Sequence, residues 1–119
     1  MLMLTSTGDQ LQIVTDAAAT VDAHATWVDI VTSSGAVTPG RTNTAITTAA
    51  TTSVAGSPAS TAARNVKTLH VRNKHATLAC NVTVRHTDGT TVIELVSVPL
   101  PPGTMVEMTD QGGFALTRI

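Results

Sequence analysis

Apolar residues in this chain recur at every second position. In residues 10–15, Leu11 and Ile13 alternate with Gln10 and Gln12, as in a half-buried strand. In residues 21–31, Val21, Ala23, Ala25 and Trp27 share one face, while His24, Thr26 and Val28 take the other. A helix fits that stretch less well, because it is rich in β-branched residues and Asp. Residues 65–72 place Lys67, Leu69 and Val71 on one face, with Leu69 and Val71 inward and Lys67 near the strand end. Residues 77–87 alternate with Leu78, Cys80, Val82 and Val84 inward and Asn81, Thr83 and Arg85 outward. Residues 91–98, 104–109 and 114–118 read as three more strands.

Turn signals separate these runs. Thr32-Ser33-Ser34-Gly35 and Thr38-Pro39-Gly40 read as turns, the second of type II with Gly supplying positive φ. Ala17-Ala18-Ala19 reads as a loop or a single turn, and Gly56-Ser57-Pro58-Ala59-Ser60 and Asn73-Lys74-His75 as breaks. Asp88-Gly89 predicts a type I′ hairpin pairing residues 78–87 with 90–98, because both residues tolerate the positive φ of that turn. Pro99, Pro101 and Pro102 end the returning strand, since proline donates nothing to a ladder. Pro102-Gly103 and Gly112-Gly113 then turn the chain twice more.

Short strands with a turn every ~8–12 residues predict an all-β fold. Two forms suit the pattern: a small β-sandwich, or a Greek-key or jelly-roll-like barrel. At 119 residues the whole chain, 1–119, fits one domain. Residues 1–9 read as an extended N-terminal arm, because Leu2, Met3 and Leu4 are apolar yet precede the first clear strand. Residues 42–60, low in charge and rich in Thr and Ala, read as an extended edge strand or an arm.

Composition narrows the function classes. Charged residues make up 13% of the chain, half the usual share. Net charge is −1 with no basic run or aromatic platform, so no nucleic-acid partner is expected. No apolar run approaches the ~18 residues of a span, so no membrane partner is expected. Met1-Leu2-Met3-Leu4-Thr5-Ser6 lacks the basic region and apolar length of a signal peptide. Trp27 and Phe114 are the only aromatic rings besides the histidines, so the core must rest on Val, Leu, Ile and Ala.

Candidate chemistry is sparse. Cys80, the single cysteine, sits in an apolar run and reads as a core residue. His24, His70, His75 and His86 show no ligand spacing. His70 and His86 could lie on neighbouring strands, but no metal site and no cofactor are expected. Asp9, Asp16, Asp22 and Asp29 are spread along one end of the sequence, and Glu94, Glu107 and Asp110 along the other. Paired carboxylates for sugar hydrolysis would also need an aromatic-lined cleft. Ser57, Ser60 and Ser97 lack a Gly-x-Ser-x-Gly elbow. Asn81-Val82-Thr83 is a glycosylation sequon, which matters only on a eukaryotic secretory route. No catalytic residue is assigned, and the chain is expected not to be an enzyme.

Residues 43–52, 64–73 and 82–91, together with Leu100-Pro101-Pro102-Gly103-Thr104 and Gly112-Gly113-Phe114, form a pattern. It resembles small minor structural proteins of tailed bacteriophages. The resemblance covers roughly the last two thirds of the chain and rests on strand patterns, so no catalytic or binding residue carries over. It implies a non-enzymatic virion protein, made in the host cytoplasm. The first expectation is a capsid decoration or cement protein that contacts the major capsid protein and copies of itself, with a trimer as the expected oligomer. The second is a ring, spike or collar component of neck, tail or baseplate. A carbohydrate-binding adhesion module is the third class, disfavoured by the lack of rings on which sugars stack.

Overall fold

The computed structural model describes residues 2–109 and, for the backbone, residues 113–118. Among these, ten strands and no helix form. They are β1 (Leu2–Leu4), β2 (Gln10–Thr15), β3 (Val21–Val31), β4 (Val37–Ile46), β5 (Thr51–Ala55), β6 (Ala62–Asn73), β7 (Cys80–Thr87), β8 (Val92–Leu100), β9 (Thr104–Thr109) and β10 (Gly113–Arg118). Every pairing is antiparallel. One sheet has the order β10-β9-β6-β3-β4, with β1 beside β9 on the same flank of β6; the other has the order β5-β2-β7-β8. The two pack face to face as a β-sandwich.

The core follows the alternation read from the sequence. Leu11 and Ile13 of β2, Val21, Ala23 and Ala25 of β3, and Val82 and Val84 of β7 are almost fully buried. They meet Val66, Leu69 and Val71 of β6 in one cluster. Cys80 belongs to that cluster, so the thiol packs as a small apolar group.

Three hairpins stay within a sheet: β3–β4, β7–β8 and β9–β10. The other connections pass between sheets. Antiparallel alternation therefore sends the links β1–β2, β3–β4, β5–β6 and β7–β8 to one end, here the hairpin end. The links β2–β3, β4–β5, β6–β7 and β8–β9 go to the other, the crossing end. Backbone bonds tie the crossing end: Thr15 N–H to Ala50 O, Lys74 N–H to Thr20 O, and Gly103 N–H to Asn73 O. Asn73 is fully buried there. Its Nδ2 donates to Leu78 O and Leu100 O, each at 2.9 Å, and its Oδ1 accepts from His75 N–H at 3.0 Å.

Several expectations are corrected. Thr38-Pro39-Gly40 is no turn; it lies inside β4. That strand is an edge, so the missing Pro39 N–H faces away from the ladder at no cost. Pro99 sits inside edge strand β8 in the same way, opposite Asn81. Asp88-Gly89 does not make a type I′ turn. Gly89 has φ +96, but among the described residues none other than glycine has positive φ, and the loop spans residues 88–91. Asp88 Oδ1 accepts the N–H groups of Thr90 and Thr91 at 2.9 and 2.7 Å, so the carboxylate shapes the loop as an Asx turn does.

Leu69 and Val71 of β6 face inward as expected, but the face shifts by one residue ahead of them. Thr26 pairs with Thr68 and Trp27 with Val66, which leaves Lys67 as an extra residue. This bulge puts Val66 on the same inward face as Leu69 and turns Lys67 away from the core. Leu78 precedes β7 and is 39% exposed rather than inward. The N-terminal stretch is not held out as an arm in residues 2–4. These form β1, paired with Arg64, Asn65 and Val66, and Leu4 is fully buried. Residues 42–60 do run along sheet edges, but as the end of β4, strand β5 and a loop rather than as one strand. β4 and β5 are edges of different sheets, joined at Thr42 Oγ1, which donates to Val54 O. Gly112 and Asp110 lie outside the described residues.

Candidate functional site

The outer face of the larger sheet holds two unlike halves. Toward the crossing end, register aligns Asn43, His24, His70 and Glu107 across four strands. His24 Nδ1 lies 2.5 Å from Asn43 Oδ1, and His70 Nδ1 lies 3.2 Å from Glu107 Oε2. The two imidazoles are 6.4 Å apart, centre to centre. The next row carries Asp22 beside Arg72, with Lys74 Nζ 2.9 Å from Asp22. A shallow hollow with Met105 on its wall lies over both rows. Cross-strand neighbours at this spacing interact, so the half is a linked polar surface.

Toward the hairpin end the same face turns apolar. Ile30 pairs with Val37 on one side and Ala63 on the other. Val28 pairs with Pro39 and Asn65, and Asn65 with Met3. Val37 is 61% exposed, Met3 43% and Ile30 37%. Between the halves sits a second hollow lined by Thr26, Val28, Pro39, Arg41 and Lys67. The smaller sheet adds Val92 and Ile93, 48% and 55% exposed, at the start of β8. Of the six large exposed hydrophobics among the described residues, only Leu78 lies toward the crossing end.

The apolar half is braced from beneath. Trp27 faces inward beyond the main core and lies against Gly40, its partner across the ladder. Arg64 stacks on the indole at 4.3 Å from its centre. The guanidinium donates to both Asp29 oxygens, at 2.8 and 3.0 Å, and to Gly56 O at 2.9 Å. A stacked, bidentate arginine is more rigid than a lone ion pair. It holds the β3–β4 hairpin where few core contacts remain.

The histidines do not meet as a group. His70 and His86 lie in different sheets. His75 caps the β6–β7 loop, its Nδ1 accepting from Thr77 N–H and Leu78 N–H. Among the described residues, no group of three His, Cys, Asp or Glu could hold a metal ion. Ser57 Oγ donates to Asp9 O, and Ser97 pairs with Thr83. Asp16 binds Asn81, whose N–H and Nδ2 both donate to its carboxylate.

Asp9 is the one buried carboxylate among the described residues. Burial pushes its pKa up, but the amides of Thr5 and Ser6 outweigh that, and His86, 3.5 Å away, helps. The Thr5 and Ser6 N–H groups donate to Oδ2 at 2.6 and 3.0 Å, and the net effect holds the carboxyl below its ordinary value. A lowered folded pKa gives stability that is complete above the unfolded pKa and is lost as pH falls through the folded one. Asp9→Asn is expected to cost about 1–3 kcal/mol at neutral pH. Urea melts taken downward from about pH 5 should show part of the wild-type decline missing in the variant. Parallel declines would mean that other groups carry the acid response.

Comparison with protein-family models, with curated proteins and with solved structures returns no match for this chain.

Proposed function

We propose that this chain is a non-enzymatic packing module that docks into an assembly by its hairpin end. The observation that supports this reading is the gathering of exposed apolar side chains toward one end. An apolar patch of this kind on a folded protein marks an interaction surface. Braced hairpins keep it in shape before contact, which lowers the ordering cost of docking.

Joined to the strand pattern of its sequence, this end-on docking suits a structural protein of a tailed-phage virion. The first assignment is a capsid decoration protein seated on the major capsid lattice. A ring, spike or collar component of the neck, tail or baseplate is the second, and it differs in address rather than in physics. Immunogold labelling with antibody to this chain, on particles from a producing culture, tests both. Gold on heads supports decoration, and gold on necks or tails supports the second assignment. Particles that carry no chain would end the virion reading.

A further inference from the structure

The two exposed apolar clusters of the hairpin end carry opposite unpaired charges. Val37 and Pro39 of β4 are followed, on the same outward face, by Arg41. Arg41 is exposed and makes no side-chain bond among the described residues. On β8, Val92 and Ile93 are followed by Glu94, also exposed. Its cross-strand neighbour Arg85 turns away, with Nε donating to Gln12 and Nη2 toward Thr51. The other described carboxylates are each engaged by a nearby cation, histidine or amide. Glu94 is therefore the unengaged carboxylate among the described residues.

The clusters lie on opposite sides of the sandwich. β4 sits over β5 and β8 beside β9, so β4 and β8 are edges of different sheets at opposite flanks. Both clusters fall in the half nearer the hairpin end. One copy can thus present its β8 flank to the β4 flank of the next. We propose that the occupant of the β4 surface is a second copy of this chain. Val92 and Glu94 of one copy, which share one face of β8, would pack on Ile30, Val37 and Arg41 of its neighbour.

The contact joins two different patches, so it is heterologous and closes into a ring when the rotation per copy permits. Pro39 removes a donor from the β4 edge, so side chains rather than a continued ladder carry the contact. This inference rests on the packing-module reading and names one partner within it.

Sedimentation velocity on the full chain tests it. Wild type should associate with rising concentration, and less so at high salt, which screens exposed charges. Arg41→Glu and Glu94→Arg should each weaken association roughly three- to tenfold, because each turns an attraction into a repulsion. An equimolar mixture of the two variants should associate again, since the carboxylate introduced on β4 of one then meets the guanidinium introduced on β8 of the other. Val37→Asp should abolish association with the melting temperature unchanged. If that variant melts early, Val92→Asp on the other flank serves instead.

A wild type that stays monomeric to about 1 mM overturns the inference, as do reversals that leave its association unaltered. Failure of the mixture to recover overturns the heterologous contact. A monomeric chain that still labels particles would remove this inference and leave the docking reading standing. A self-associating chain found on no particle would do the reverse.

Discussion

Asn73→Ala is expected to lower stability by about 3–5 kcal/mol. The side chain is fully buried and satisfies three main-chain groups at once. Its removal leaves the Leu100 carbonyl buried without a donor and takes the shared tie from the half-exposed Leu78 carbonyl and His75 N–H. These groups lie at the β6–β7 and β8–β9 crossings, so the damage reaches both sheets. Urea denaturation of the variant measures it. A loss under about 1 kcal/mol would show that water replaces the amide without rearrangement.

The second large effect is expected at Gly40. A Cβ there would stand 2.4 Å from Trp27 Nε1 and 2.7 Å from Cε2. The indole cannot retreat freely, because Arg64 lies on it and is itself fixed by Asp29 and Gly56. Gly40→Val should cost about 2–4 kcal/mol through overpacking and the loss of the stack. Pairing it with Trp27→Leu isolates the cause. If the clash is the source, the double variant loses much less than the sum of the singles. Full additivity would place the cost in the backbone of β4.

Much of the fold was legible because alternation is a direct imprint of the pleat. Residues 10–15 and 21–31 became β2 and β3 without adjustment. Burial at Leu11, Ile13, Val21, Ala23 and Ala25 fell where the period of two put it. The failures have physical causes. Pro39-Gly40 and Pro99 read as punctuation, but on an edge strand a proline breaks no hydrogen bond, and Gly40 is small for the sake of Trp27. The bulge at Lys67 inserts one residue without any compositional mark, so the inward face of β6 changes parity unseen. Asp88-Gly89 forms its turn with the carboxylate of Asp88 rather than with two residues at positive φ.

The candidate surface was less legible than the fold. Val28 and Ile30 are ordinary strand residues one by one. They become a patch only when Val37, Pro39 and Met3 are set beside them by the register of three other pairings. His24 and His70 are likewise far apart in the chain and side by side in the sheet. Local periodicity says which face a residue takes. It says nothing of which distant residue shares that face.

The placement of Trp27 gives the molecule an optical window. The chain has one Trp and no Tyr, so its near-ultraviolet emission arises almost wholly from the brace under the apolar half. An event that dries or shifts the β3–β4 hairpin should therefore move that emission, while one confined to the crossing end should leave it untouched. Recruitment into a larger particle could be followed in real time on the unlabelled protein, with the colour of a single indole telling which end has made contact.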